Sequence, residues 1–303
     1  MTSMDGWPEL DYEAFADTRD VLHMWTQVVG KVKLALCPYL NEWWEVALHP
    51  SARGLTSGLI PWGEDSFELE FDFVAHRLAI RTAAGEQRAI ALEAKSVAAF
   101  HAEVMAGLAS LGIEPDIATL PAELEEPVRF EDDHRVGYDA AAVERWWRAL
   151  LAIERVIQRY RTPFSGKSSP VLFFWGGFDL AHARFSGRPA PPEPGTNAIL
   201  AFGEDQENVA IGFWPGSRDF PHPLLYAYAH PAPDGIAAAP IEPSAARWEP
   251  ALGEFVLTYA DALATGDPAS AVATFFQSAY EHCARLASWD RDALEGAVPA
   301  PPR

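Results

Sequence analysis

Residues 162–188, TPFSGKSSPVLFFWGGFDLAHARFSGR, decide how the chain is read. From Val171 to Phe185 the run is apolar on both alternating sets. Trp175, Gly177, Asp179, Ala181 and Ala183 fall on one side of an extended strand, and Phe174, Phe178, Leu180, His182 and Arg184 on the other. A strand that is apolar on both sides is covered on both sides, so the spacing predicts a central strand in a helix-and-sheet globule. Gly176 and Gly177 weaken such a strand and mark a bulge or a place where a ligand approaches the backbone. Asp179 would be costly to bury as an anion without a partner. It is therefore either an acid satisfied by its neighbours or a carboxyl poised in a cleft.

The same block carries the first candidate chemistry. Gly166-Lys167-Ser168 has the form of the end of a phosphate-binding loop, but Arg161 stands where that loop needs a glycine, and a helix precedes it in place of a strand. What remains is a weaker anion site. Lys167 and Ser168 sit on a tight loop, and Arg184 and Arg188 carry planar forks that match a carboxylate or phosphate. The structural alternative pairs these cations with acids such as Asp179, Glu204 or Asp205. Trp175, beside two glycines, can line a pocket as readily as fill a core.

Outward from this block, residues 140–160 carry a stripe of Val143, Trp146, Trp147, Leu150, Ile153, Val156, Ile157 and Tyr160, the period of a buried-face helix. Strands are predicted at 208–214 and 224–229, and Asp267-Pro268 opens a last long helix. In the first part of the chain, Asp17 is the expected cap of a helix running to Leu36. Alternation from Trp43 predicts a strand, 67–82 a strand pair or one long bent strand, 88–92 a short strand, and Ser96 the cap of a helix ending at Gly112. Residues 114–139 read as a connection, and the Pro- and Ala-rich end beyond Glu295 as loose. Both halves thus run helix, strands, helix. Ala52-Arg53-Gly54-Leu55-Thr56-Ser57 and Ala183-Arg184-Phe185-Ser186-Gly187 place an arginine before an apolar residue and a hydroxyl at matching points, and His76 and His222 each stand two residues before a leucine. The expectation is an α+β fold of two similar helix–β-sheet–helix halves. These would be a weak internal duplication, residues 1–130 and 131–303, with mixed or antiparallel sheets packed as one globule around a cleft.

Composition narrows the function classes. Asp and Glu number 43 against 23 Lys and Arg, a formal charge of -20 over 303 residues. A field of that sign repels phosphate backbones and anionic lipid surfaces, so neither nucleic acid nor membrane is an expected partner. No apolar run reaches the roughly 18–20 residues of a bilayer crossing. The acidic start, residues 1–20, lacks the pattern of a secretion signal. Two cysteines, Cys37 and Cys283, suit a cytoplasmic protein with reduced thiols. The nine histidines show neither an HExxH motif nor ligand spacing on one helix, and no G-x-S-x-G elbow is present, so no metal or cofactor is expected.

The 162–188 block also resembles the signature of an uncharacterised bacterial domain-of-unknown-function family, with its F-x-G-K-S-S-P-V…FFWG-x-FDLA…RFSGR run. The resemblance extends to WWEVALHPSARGLTSGLIP at 43–61 and to FWPG and YAYAHPAPDG at 213–216 and 226–235. His182-Ala183, where Val-Thr is commoner in that pattern, and Leu172, where His is commoner, depart from it. The resemblance implies no activity. The residues point to a cytosolic protein that holds a small anionic, partly apolar molecule in the cleft between halves. In that reading Lys167, Ser168, Arg184 and Arg188 hold the anion, Arg53 and Thr56 contribute from the matching half, and Trp175 forms an apolar wall. If the protein is an enzyme, Asp179 and His76 are the acid/base candidates for metal-free lyase, isomerase or hydrolase chemistry. The alternative is a non-catalytic interaction or assembly protein with a Trp-rich surface.

Overall fold

A computed structural model describes residues 6–192 and 195–296. The first five residues and the Pro- and Ala-rich end from 297 onward lie outside the described residues. Helix α1 spans Tyr12–Leu36 and starts earlier than Asp17, because the Asp11 carboxylate accepts from the Ala14 amide and caps it there. Six short strands follow: β1 (His49–Pro50), β2 (Gly54–Thr56), β3 (Ile60–Trp62), β4 (Asp65–Asp72), β5 (Arg77–Thr82) and β6 (Gln87–Ala91). Helix α2 (Val97–Ala109), capped by Ser96, closes the first half. After the connection come α3 (Ala140–Arg161), capped by Asp139, then β7 (Leu172–Phe174), β8 (Asp179–Pro189) and the short α4 (Ala198–Gly203). The second half finishes with β9 (Gln206–Trp214), β10 (Leu224–His230), β11 (Arg247–Glu249), β12 (Glu254–Thr258), α5 (Tyr259–Ala264), α6 (Pro268–Leu286) and α7 (Arg291–Leu294).

Every described strand pair is antiparallel, and the fold class is α+β. The first sheet runs β1-β2-β4-β5-β6 with β3 beside β4, and the second runs β11-β12-β10-β9-β8-β7. Each half follows a helix–sheet–helix plan, but the strand orders differ. The single central strand expected over 171–185 is instead the hairpin β7–β8. Residues 175–178 make its turn, and Phe178 adopts φ +61. Two strands, each packed on both sides, produce the same apolar run as one long strand. The glycines that would weaken a strand supply the turn instead.

One core runs through both halves. Trp146 of α3 stacks on Phe178 at 5.2 Å and meets Phe73, just past β4, edge-on at 5.8 Å. Leu48 and Phe173 exchange backbone hydrogen bonds of 2.8 and 2.9 Å, tying the segment before β1 to β7. Helix α1 lies inside the globule. Its middle is buried on all sides, from Val21, Leu22, Trp25, Val28, Val29 and Val32 to the polar Arg19, His23, Thr26, Gln27, Lys31 and Lys33.

Candidate functional site

The second sheet has two unlike faces. Leu180, Val209, Ile211, Phe213, Leu225 and Leu257 point into the core where α3 and α6 pack. The opposite face carries Ala181 and Ala183 of β8, Ala210 and Gly212 of β9, and Tyr226 and Tyr228 of β10, brought side by side by the strand register. The small Ala181, Ala183 and Ala210 leave this face hollow, while the Tyr226 hydroxyl covers Gly212. Over it lies a cavity of about 330 Å³, near the lower end of the ~300–1,000 Å³ typical of ligand pockets. Both halves build it. Lys31 and Leu34 of α1, Trp43, Trp44 and Val46 of the following loop, and Ala122 and Glu123 of the connection form one side. Phe174, Trp175 and Asp179 of the hairpin and Ile199 and Glu204 around α4 form the other.

The walls are held by polar side chains of α1. His23 Nε2 donates to the Gly176 carbonyl at 2.8 Å, which fixes the proton on that nitrogen. Burial pushes His23 down to about 3, so the ring is neutral at physiological pH. One turn on, Gln27 donates to the Ala122 carbonyl at 2.9 Å and accepts from the Ala122 amide at 2.8 Å, pinning the connection. Trp175 lies flat against α1 where Gly30 leaves room: a methyl there would sit 2.2 Å from the indole ring. The indole nitrogen donates to the Val46 carbonyl at 2.8 Å. The Glu123 carboxylate comes close enough that a Cβ on Gly176 would meet its oxygen at 2.0 Å. Although Glu123 as a residue is exposed, crowding around its carboxylate raises its pKa, with Lys31 acting in the opposite sense.

Acidic groups and tyrosines alternate across the floor. Tyr226 donates a short hydrogen bond to Asp179, and Tyr228 donates to Glu204 at 3.0 Å. Glu204 also pairs with His230 at 2.7 Å. Asp179 keeps some accessible surface because it faces the cavity, yet protein surrounds it. That burial pushes it up to about 7, opposed by the Tyr226 hydrogen bond and reinforced by Glu123. Behind the tyrosines Glu254 of β12 is likewise pushed up to about 7, first by burial and then by Asp179 and Glu204. Among the described residues, no Lys, Arg or His forms an ion pair with Asp179 or Glu254.

Of the residues expected from sequence, Asp179 and Trp175 line this cavity and the others do not. Arg184 faces the core side of β8, where it donates to the Tyr160 carbonyl at the end of α3. Its guanidinium lies 3.5, 4.3 and 5.0 Å from the ring centres of Tyr160, Tyr280 and Phe164. Arg53, in the first sheet's β1–β2 turn, pairs with Asp72 at 2.8 Å. The shared hollow expected for Arg53 and Arg184 is therefore absent: the two side chains lie on different sheets, Arg53 paired with Asp72 and Arg184 buried with its Nε lacking a hydrogen-bond partner. Thr56 Oγ1 accepts from the Gly58 amide. Arg188 pairs with Glu207 and donates to the Ala287 and Ser288 carbonyls. Lys167 borders the cavity through its pair with Glu42 at 2.8 Å, and the neighbouring Ser168 bridges to Arg184 through the backbone. His76 is not on a strand face. It occupies the β4–β5 turn at φ +47 and meets the Tyr138 hydroxyl at 2.9 Å. His23, Gln27, Tyr226 and Glu254 were not singled out from sequence, and Glu204 figured there only as a pairing acid for the basic residues. The available signal was the His23–Gln27–Lys31 spacing of four, which puts three polar side chains on one helix face.

No group of three His, Cys, Asp or Glu side chains among the described residues is arranged to hold a metal ion. No described helix is long and apolar enough to cross a membrane. The model of a family of unknown function, DUF5996, matches residues 7–296, and the chain belongs to that family. No curated protein and no solved structure matches the chain.

Proposed function

We propose that this member of a family of unknown function binds a small, partly apolar molecule in the cavity between its halves, with Asp179 and Tyr226 as the polar contact on the cavity floor. The observation that carries the proposal is the construction of the cavity. Its floor lacks bulky side chains at Ala181, Ala183 and Ala210, and its walls are fixed by hydrogen bonds from His23 and Gln27. Buried polar groups that do nothing but hold loops around an empty space are the support that a preorganised site needs. The buried position of Trp175, with the half-buried Trp43 and Trp44 lining the same cavity, favours this over a Trp-rich surface that meets a partner protein. The cytosol is part of the same proposal, supported by the free thiols of Cys37 and Cys283.

If the proposed ligand is also a substrate, Asp179 is the acid/base group. A carboxyl held near neutrality exchanges a proton at physiological pH, and the Tyr226 hydroxyl keeps it oriented. A thermal-shift screen of small metabolites tests the binding. Ala210 faces the cavity, so Ala210→Met extends into empty space and leaves the fold intact. Compounds that stabilise the unmodified protein are expected to lose their effect in Ala210→Met, and stabilisation that survives the substitution would place the ligand elsewhere.

A further inference from the structure

The charge inventory of the cavity leaves one position uncompensated. Five charged side chains line it: Lys31, Glu42, Glu123, Asp179 and Glu204. Both Glu42 oxygens are engaged, one by Lys167 at 2.8 Å and the other by the Asn41 amide at 2.7 Å. Lys31 and Glu123 act on one another across the α1 wall, each shifting the other's pKa toward its charged form. Glu204 has Tyr228 and His230. Asp179 has the neutral Tyr226 hydroxyl, with Glu254 behind it as a second unpaired acid. Taking such a carboxylate out of water is unfavourable unless it takes up a proton or meets a cation, and above pH 7 the cation is the relevant partner. Arg53 and Arg188 pair with acids outside the cavity, and the Arg184 guanidinium lies among aromatic rings on the core side of β8.

The surrounding surface suits such a cation. Trp43 stands in the wall and Tyr226 and Tyr228 in the floor, while Trp44 and Trp175 already carry the Lys167 and Lys31 ammonium groups 5.4 and 5.7 Å from their ring centres. Aromatic faces attract ammonium and guanidinium groups, most strongly where water is excluded. We infer that the ligand of this cavity is an organic cation, a flat or apolar body bearing an ammonium or guanidinium group that pairs with the Asp179 carboxylate. This rests on the cavity being the binding site and specifies what it takes. It also reverses the sign of ligand expected from the basic residues of the 162–188 block.

Three indoles that differ only in their head group test it: tryptamine (ammonium), indole-3-acetate (carboxylate) and tryptophol (hydroxyl), titrated calorimetrically at pH 8 against the full chain and against Asp179→Asn. Tryptamine is expected to bind most tightly. Asp179→Asn should weaken it by about thirtyfold or more, the scale of removing one member of a buried charge pair. Tryptophol binding should be unchanged in Asp179→Asn, which also shows that the variant retains its cavity. Indole-3-acetate binding as tightly as tryptamine, or tryptamine indifferent to Asp179→Asn, would overturn the cation while leaving the cavity as the site. Silence from all three indoles would overturn both.

Discussion

A methyl group added at Gly212 would stand 2.3 Å from the Leu180 carbonyl oxygen and 2.3 Å from the Tyr226 hydroxyl. The first neighbour is the backbone of the adjoining strand and cannot swing aside. The second is the hydroxyl that reaches across β9 to Asp179. Gly212→Ala is therefore expected to lower stability by about 1–3 kcal/mol, the range of an overpacked interior, measured as a lower midpoint in urea unfolding. An unchanged midpoint would mean that the floor yields more easily than its geometry implies. At this scale the sequence was informative about Asp179 and Trp175, because a lone acid in an apolar run and a Trp beside two glycines are anomalies visible without a structure. It misled over Arg184. The rings that cradle its guanidinium come from Tyr160, Phe164 and Tyr280, and no local spacing shows that such distant aromatics converge. A buried arginine and a ligand-binding arginine leave the same mark in a sequence.

Helix α1 shows why an element's pattern can be right and its setting missed. The stripe of Val21, Leu22, Trp25, Val28, Val29 and Val32 is there to read, and an amphipathic helix ordinarily turns its other face to solvent. In this fold the other face is buried too, and His23 and Gln27 on it bond to the backbone of loops far along the chain. Gln27 satisfies both backbone groups of Ala122, much as a neighbouring strand would. Gln27→Leu keeps the helix and its bulk but leaves that amide and carbonyl unpaired, a cost of about 1–3 kcal/mol. Hydrogen exchange at the Ala122 amide is expected to accelerate well beyond that of the α3 amides, since the connection would open locally. Equal protection in both proteins would assign the wall's rigidity to packing alone. The hairpin β7–β8 carries the same lesson. Its apolar alternation was legible, but a four-residue turn containing two glycines continues the hydrophobic run instead of interrupting it with polar residues. Strands of two or three residues, such as β1 to β3 and β11, are too short for any period to register.

Across the whole molecule, the helix–sheet–helix plan was legible because long stripes and alternating runs recur in each half. The interlocking of the halves was not, since it rests on pairs such as Phe73–Trp146 and Leu48–Phe173 that only the folded chain brings together. That interlocking encloses Asp179, and Glu254 is enclosed with it on the same sheet. Asp179 faces Tyr226 and Tyr228 from β10, Glu123 from the connection and Glu204 beside α4, with Lys31 across the cavity, so acids predominate around it. With both carboxyls near 7 in the folded chain and near 4 when unfolded, the folded state keeps protons that the unfolded state releases as pH rises from about 4 to about 7. Their contribution to stability falls over that window and is level above it. His23 and His182, held near 3, and His49, held near 4, act in the opposite direction as pH rises toward 6.5, so the carboxyl effect is best isolated by difference. The double variant Asp179→Asn/Glu254→Gln removes both titrations and leaves the histidines alone. It is expected to be more stable than the unmodified chain at pH 8 by about 2 kcal/mol or more, and by distinctly less at pH 5, both read from urea unfolding. An equal difference at the two pH values would show that these carboxyls titrate in the ordinary range. If the gain appears at pH 8 while tryptamine binding is lost, the two acids oppose folding at neutral pH and are compensated only when a cation occupies the cavity.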